Sequence, residues 1–329
     1  MNTLDINKVL KIIGGIAFLV VAIFTVWWFK KDAIIVTSNK KIASITGLEC
    51  ENAEQRPIAV MIASDPETRP LSGVSQADMV FEMPVTPNGV TRMMAVFQCQ
   101  LPEEIGSIRS ARDDFIPLAA GLKSIYAHWG GEHDALERLK SKIMDNVDAL
   151  KYEGIYFYRK NTIPRPHNGF TSISLLKQAA SVLKYTPEDK LEPYPHGKVD
   201  IKRNVSNIAD KIDIDYPGAF RVSWQYDPIT KTYKRSRGGT PELDRTNNEQ
   251  VQVSSVIQLK TKSTFLRDQY INVETQGTGT ANIYQNGIVM NATWKKDPTA
   301  IDSKLYFLDA TGKEITLTPG KIWIQITTD

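Results

Sequence analysis

An uncharged stretch of 18 residues near the N-terminus places the strongest constraint on how this chain can be organised. Residues 12–29, IIGGIAFLVVAIFTVWWF, approach the roughly 20 residues that a helix needs to cross a bilayer core of about 30 Å. Trp27 and Trp28 lie at the end of the stretch, where indole rings favour the headgroup layer. We therefore predict one transmembrane helix, which makes residues 1–31 a short tail and an anchor.

A cleaved signal peptide is the alternative interpretation of this stretch. No cleavage site with small residues follows the apolar run, and the tryptophans suit a segment that stays in the membrane. Lys8 and Lys11 precede the stretch and Lys30 and Lys31 follow it, so charge alone does not fix its orientation. Because a short N-terminus ahead of a single span is most often cytoplasmic, we expect a single-pass cell-membrane protein with most of the chain outside the cytoplasm.

The chain has two cysteines, Cys50 and Cys99, and each lies at the border of a predicted strand. In an oxidising compartment an even number of cysteines favours a disulfide, which here would tie the start of the folded part to one of its strands. Two unrelated thiols are the alternative. The sequence leaves both open, because a disulfide requires Cα atoms within about 7 Å of each other.

Composition excludes several classes of protein. Hydrophobic residues make up 42% of the 329 residues, enough to fill the cores of two domains. Forty Lys and Arg against 37 Asp and Glu give a net charge of +3, so we expect no nucleic-acid partner, which would need a strongly basic face. No spacing typical of metal ligands is present, and we expect no cofactor, because the glycines of residues 276–281 lack the strand and helix of a dinucleotide site.

Hydrophobic periodicity then divides the chain into regions. Residues 32–52 are polar and irregular, which predicts a spacer. In residues 53–186, apolar runs of strand length alternate with segments of helical spacing, a pattern that predicts an α/β (mixed α+β) domain. The predicted strands are residues 57–63, 79–84, 91–99, 125–129 and 155–158, and the predicted helices are residues 113–126, 134–142 and 172–183.

Three prolines, at positions 187, 193 and 195, mark residues 187–206 as a linker. Residues 207–329 contain short alternating runs separated by Gly, Pro, Asn and Asp, which predict an antiparallel β-rich domain. Its predicted strands are residues 220–226, 232–235, 251–259, 269–275, 280–284, 288–294, 305–309 and 322–327.

Candidate binding residues concentrate where Arg109, Ser110 and Arg112 precede a predicted helix N-terminus. Arginine presents planar, bidentate donors that match carboxylate or phosphate, and backbone amides at a helix start add to such a site. Salt bridges to Asp113, Asp114 or Glu132 are the alternative role, and exposed pairs of that kind contribute only about 0 to 1 kcal/mol. Further candidate ligand contacts are Arg159, Arg165 and Asn168, although Asn168 also suits a helix cap near Ser172.

Candidate catalytic residues are His128, His167 and Glu132. An imidazole titrates near neutral pH and can act as a general base, with a carboxylate as acid or base. A buried histidine bonded only to the backbone is the alternative for either ring. Ser110 would be a nucleophile only with a histidine in reach, and no G-x-S-x-G motif is present.

Several motifs together resemble the YerB family, predicted bacterial lipoproteins whose core is a domain of unknown function. Over residues 47–186 these motifs are RPIAVMI, RPLSGVSQADMVFEM, TRMMAVFQ, IGSIRSARDDFI, HWGGE, FYRK and PRPHNGFTS. Towards the C-terminus, GGTPELD and DATGKEITLTPGKIWIQI are similar in a looser way.

This chain departs from the family in two respects. It has no cysteine near its start that could carry a lipid, and the apolar stretch takes that place. Glu242, in GGTPELD, stands where similar sequences tend to have histidine. The resemblance implies an envelope location and the fold boundaries but no reaction. We therefore expect a protein that binds an anionic cell-envelope polymer or an envelope partner, with a hydrolase or transferase acting on peptidoglycan or a phosphate-bearing glycan as the alternative.

Overall fold

The computed structural model describes residues 41–188, 191–199, 204, 206–267 and 269–329. The apolar stretch of residues 12–29 lies outside these ranges. Within them, no helix is both long enough and apolar enough to cross a membrane. The described residues have the mixed α+β fold that periodicity predicts.

The described residues form 22 strands, and ten of these, from both halves of the chain, join in one large sheet. The first half contributes β1 (Lys41–Ile42), β2 (Glu49–Cys50), β3 (Ile58–Ala63), β4 (Met79–Pro84), β5 (Thr91–Phe97), β6 (Ile105–Gly106), β7 (Ile125–His128), β8 (Asn146–Asp148), β9 (Tyr158–Arg159) and β10 (Gly169–Thr171). The second half contributes β11 (Lys211–Ile214), β12 (Val222–Asp227), β13 (Thr232–Arg237), β14 (Thr240–Pro241), β15 (Gln252–Val253), β16 (Ser255–Thr261), β17 (Ser263–Arg267), β18 (Tyr270–Val273), β19 (Gly277–Gln285), β20 (Ile288–Lys296), β21 (Tyr306–Leu308) and β22 (Ile322–Thr328).

The strand order of the large sheet is β21-β20-β19-β16-β22-β4-β5-β3-β7-β8. The last strand, β22, lies between the two halves and pairs in parallel with both β16 and β4, with Ile322 opposite Met79. β3 also pairs in parallel with β7, so the carboxyl ends of these two strands meet at one edge. A smaller sheet of β11 to β15 packs beside the large one.

The central strands are apolar on both faces, as expected for strands covered on both sides. Along β3 every side chain is buried: Ala59 and Met61 belong to one core, and Val60 and Ile62 belong to the other. Helices and the smaller sheet provide the two covers. They are α1 (Ile116–Gly121), α2 (His133–Lys140), α3 (Ala149–Tyr152) and α4 (Ile173–Val182), with short 3-10 helices at Pro66–Thr68, Val74–Gln76, Asp113–Phe115 and Gly218–Phe220.

Two predicted elements of the first half differ from the structure. The helix predicted at residues 113–126 is a 3-10 turn followed by α1, and it ends at Gly121 because Lys123 adopts a positive φ of 52° before β7 begins. The strand predicted at residues 155–158 is mostly a turn, because the amides of Ile155 and Tyr156 bond back to the Tyr152 carbonyl. The strand-like sequence pattern of residues 155–158 reflects only the burial of Phe157.

The predicted spacer is wrong for its described part, residues 41–52. β1 and β2 form a hairpin there, and Ile45 is fully buried in the core. Described residues of the predicted linker also pack: Leu191 and Tyr194 belong to the same core as Ile45, and the Tyr194 amide donates to the Ser44 carbonyl over 3.0 Å. The low hydrophobicity of these segments gave no indication of these contacts, because a few apolar side chains suffice to pack a polar segment onto the core.

A disulfide joins Cys50 to Cys99, with the two Cα atoms 5.7 Å apart. It ties the β1–β2 hairpin to the segment that follows β5, across 49 residues of sequence. The thiol alternative therefore does not apply in this structure, and no free cysteine remains.

Candidate functional site

The carboxyl ends of β3 and β7 hold a group of titratable side chains, which we call the arginine site: Asp65, Arg92, Arg109, Arg112 and His167. The segment after β6 crosses this edge of the sheet. Its Arg109 amide donates to the Met61 carbonyl over 2.9 Å, and the Trp129 amide donates to the Arg109 carbonyl over 3.0 Å. This crossing fixes residues 109–112 between the two strand ends.

Asp65 is the hub of the arginine site. Its Oδ2 lies 3.4 Å from Nη1 of Arg92 and 3.3 Å from Nη2 of Arg109. Arg92 is the second residue of β5 and pairs with Ala63 in β3, which places it beside Asp65. Arg109 also donates to the Pro166 carbonyl over 3.0 Å and to Nδ1 of His167. One carboxylate thus serves two guanidinium groups.

Electrostatics show that the positive charge of the site is under-compensated. Burial lowers the pKa of Arg92 to about 9. Asp65 opposes this shift, and repulsion from Arg112 and Arg109 adds to it. Burial would raise the pKa of Asp65, but the guanidinium groups of Arg92 and Arg109 lower it below its usual value. Burial and then Arg109 lower the pKa of His167. Since Nδ1 of His167 accepts from arginine, this imidazole is neutral with its proton on Nε2.

Arg112 completes the site from the other side. It is only 9% exposed, donates from Nη1 to the Ala111 carbonyl over 2.9 Å, and lies 5.0 Å from the ring centre of Tyr270 in β18. In the described part of the chain it forms no ion pair. The Nε atoms of Arg92, Arg109 and Arg112 are all buried and have no partner among the described residues.

The acids that could have neutralised these arginines have other partners. Asp113 pairs with Arg138 over 2.7 Å. Asp114 accepts from the Val273 amide over 3.0 Å, and burial, followed by nearby carboxylates, raises its pKa to about 8. Glu132 accepts from the Asp113 amide over 2.7 Å at the start of the 3-10 turn, and burial raises its pKa. In the described part of the chain, Arg109 and Arg112 therefore form no salt bridge with Asp113, Asp114 or Glu132, and Arg109 pairs with Asp65 instead.

His128 does not belong to the arginine site. It is 1% exposed, with Nδ1 2.8 Å from the Gly130 carbonyl and Nε2 3.3 Å from Oδ1 of Asn146. Burial lowers its pKa. A ring with no exposed surface and both nitrogens engaged does not reach a substrate, so the structure supports the alternative role, a buried histidine held by its neighbours. Glu132 makes no contact with it among the described hydrogen bonds, and the same holds for Ser110 with either histidine.

Of the remaining candidates, Arg159 and Asn168 form a patch around Trp129, next to the arginine site. Arg159 stacks over Trp129, with its guanidinium carbon 4.1 Å from the ring centre. It also binds Glu153 over 2.7 Å and donates to Oδ1 of Asn168 over 2.8 Å. Arg165 is exposed in the loop before His167. Ser172, not Asn168, caps α4, by accepting from the Leu175 amide.

A second group of arginines, which we call the buried ion cluster, lies between the large and the small sheet: Glu82, Arg235, Arg237 and Glu242. Glu82 binds Arg235 over 2.6 Å and Arg237 over 2.8 Å, and Glu242 binds the same two over 2.6 and 3.0 Å. The guanidinium carbon of Arg235 lies 4.9 Å from the ring centre of Trp224 in β12 and 4.1 Å from that of Trp323 in β22. Two acids balance two bases, so Glu82 is a structural carboxylate here.

Asp65 and Arg92 were not among the site residues predicted from the sequence. Two signals point to them: a charged residue within the otherwise apolar strand TRMMAVF, and an acid two residues beyond the end of a buried strand. Arg235 and Arg237 had a weaker signal, the alternation of β13 that turns them to the same face as Tyr233.

Fold and geometry together define the class of this protein. It is a mixed α+β chain whose two halves share one sheet, with an under-neutralised arginine site at the sheet edge. Residues 45–186 match the N-terminal domain, and residues 212–324 the C-terminal domain, of the family described as protein of unknown function DUF3048. The chain belongs to this family.

The resemblance to YerB is confirmed. The chain is 31% identical over 307 residues to the predicted lipoprotein YerB of Bacillus subtilis (strain 168), covering 91% of this chain and 90% of that protein. It is also similar to the crystal structure of the YerB protein from Bacillus subtilis, with a TM-score of 0.79 and 30% identity over 88% of this chain and 97% of that one.

Proposed function

We propose that this protein binds an anionic cell-envelope polymer, or an anionic segment of an envelope partner, through the arginine site. The observation that carries the proposal is that three arginines share a site with one paired carboxylate, Asp65, which binds only Arg92 and Arg109, while all three keep a buried Nε without a partner in the described part of the chain. Unpaired buried donors are unfavourable unless a ligand satisfies them.

Guanidinium groups favour phosphate and carboxylate, because their planar donors match both bidentately. The neighbouring Trp129, stacked on Arg159, adds an aromatic surface on which a sugar ring of a polymer would pack. A catalytic role has less support, since His128 is buried and His167 has its Nδ1 occupied by Arg109.

The test is retention of the full chain, in detergent, on insoluble peptidoglycan that carries its phosphate-rich polymer and on the same material stripped of that polymer. We expect retention that requires the polymer, and a loss of about tenfold or more in the double variant Arg109→Ala, Arg112→Ala, because two charge-assisted contacts are removed. The matched control is Arg221→Ala, Lys231→Ala, which removes the same charge from exposed positions.

Equal retention of the two double variants would contradict the proposal. Release of soluble fragments from the peptidoglycan by the wild-type chain would instead support the hydrolase alternative, and the variant His167→Ala would show whether this half-buried imidazole takes part.

We further propose that the protein is held at the cell membrane by residues 12–29, with the described residues outside the cytoplasm. Support comes from the length and apolarity of that stretch and from the lipoprotein designation of YerB. Deletion of residues 1–31 should move the protein from the membrane to the soluble fraction, and external protease should digest residues 41–329 in intact spheroplasts. Protection from protease would contradict the orientation.

A further inference from the structure

A cavity of about 230 Å³ lies beside the buried ion cluster, away from the residues of the arginine site. Its polar lining comes from Arg69, Arg237 and Glu242, and its apolar lining from Pro70, Pro241 and Leu243. The cavity forms where the segment after the first 3-10 helix meets β13 and β14 of the small sheet. Both halves of the chain therefore contribute residues to its lining.

The charges around this cavity do not balance. Glu82 and Glu242 already match Arg235 and Arg237 within the buried ion cluster. Arg69 adds a fifth charge, and the four cluster residues are its main electrostatic neighbours. Burial and then repulsion from Arg237 lower the pKa of Arg69 to about 10. One positive charge at the cavity is thus left without a counter-charge from this group.

The residues that line the cavity also include one hydrogen-bond donor and one acceptor without partners in the described part of the chain. Arg69 donates from Nη2 to the carbonyls of Ser64 and Ala219 over 2.8 and 2.9 Å, but its Nε is buried with no partner among the described residues. Glu242 accepts both arginines on Oε2, while its Oε1 is buried and unpaired within the same described set. Two of the residues that line the cavity therefore carry, respectively, a donor and an acceptor that the described residues leave unpaired.

We propose that this cavity binds a small organic acid that carries a hydrogen-bond donor beside its carboxylate, that is, a 2-amino acid or a 2-hydroxy acid with a short apolar side chain. The carboxylate pairs with Arg69, and the ammonium or hydroxyl group donates to Glu242. The side chain packs on Pro70, Pro241 and Leu243. The volume is below the roughly 300 Å³ at which pockets for drug-sized ligands begin, which limits the ligand to a few heavy atoms.

Four probes that differ in one group each test this chemistry by titration calorimetry on the full chain in detergent: alanine, lactate, propionate and alaninamide. We expect alanine or lactate to bind, and the better of the two distinguishes an ammonium from a hydroxyl donor. Propionate, which lacks the donor, should bind about tenfold more weakly, and alaninamide, which lacks the anion, should not bind. Absence of binding by both alanine and lactate at millimolar concentration would overturn the proposal, as would equal binding of alaninamide.

Two variants locate the site. Arg69→Gln removes the excess charge and should abolish binding of the better probe. Thr240→Phe fills the cavity from an exposed lining position without touching any charge, so it tests the site even if the first variant does not fold. Arg221→Gln is the control, since Arg221 is an exposed arginine of the same sheet region paired with Asp215. Unchanged binding by a folded Thr240→Phe protein would overturn the proposal.

Discussion

Consecutive residues of β5 face two arginine groups of opposite design. Thr91 donates to Glu82 in the buried ion cluster, while Arg92 binds Asp65 in the arginine site, because neighbouring strand residues point to opposite faces. The cluster has two acids for two bases and almost no exposed surface. The arginine site has three bases for one bound acid and lies at the sheet edge. Equal numbers of acids and bases favour a structural role for the buried ion cluster, whereas the excess of bases in the arginine site leaves it able to bind an anion.

The largest effect should follow from unbalancing the buried ion cluster. Glu82→Gln leaves Arg235 and Arg237 with one carboxylate, and removal of one partner from a buried ion pair typically costs about 3–5 kcal/mol. We expect a loss of that size in the free energy of unfolding, measured by urea denaturation. The control Glu153→Gln breaks only the partly exposed pair with Arg159 and should cost about 1 kcal/mol or less.

A double variant sharpens this result. Glu82→Gln combined with Arg237→Gln restores equal numbers of acids and bases, so the two losses should be less than additive, as expected for groups in one network. Full additivity would show that charge balance does not determine the stability of the cluster.

Acid should weaken the same cluster by a smaller amount. Burial would raise the pKa of Glu242, but Arg237 and Arg235 outweigh it and lower the pKa to about 2 from a usual 4.5. A carboxylate with a lowered folded-state pKa stabilises the fold above its unfolded pKa, so the contribution is complete above about pH 4.5 and is lost as pH falls towards 2. It amounts to roughly 3 kcal/mol.

Thermal unfolding of the wild type and of Glu242→Gln between pH 6 and pH 2.5 measures this contribution. The wild type should lose stability over that interval more steeply than the variant. Parallel curves would mean that Glu242 is not the group that titrates.

Sequence could predict most strands of the large sheet, because burial on both faces gives continuous apolar runs such as IAVMIA. It could not predict their partners. β22 lies next to β4 although Gln325 and Glu82, which bond over 3.0 Å, are 243 residues apart. Local periodicity reports which face of a strand is buried but carries no information on what covers it, so the shared sheet and the buried ion cluster were both missed.

The candidate site was partly predictable for the same reason. Arg109 and Arg112 have a local signal, since both lie just before a helix start. Asp65 and His167 meet Arg109 only because separate segments converge at the end of β3. The burial of His128 could not be predicted, because a histidine next to a glycine turn suggests a site, whereas β7 is an inner strand of the sheet and buries its last residue.

The smallest effect on stability is expected for Arg112→Met in the arginine site, which can be compared with the same substitution in the buried ion cluster. Arg237→Met breaks buried ion pairs and should cost about 3–5 kcal/mol, whereas Arg112→Met breaks no ion pair in the described structure and should change the free energy of unfolding by about 1 kcal/mol or less. Relief of repulsion on Arg92 offsets the lost contact with Tyr270. Urea denaturation of the two variants compares them directly. If Arg112→Met were as destabilising as Arg237→Met, Arg112 would be a structural residue, and the imbalance at the sheet edge would no longer indicate an anion-binding site.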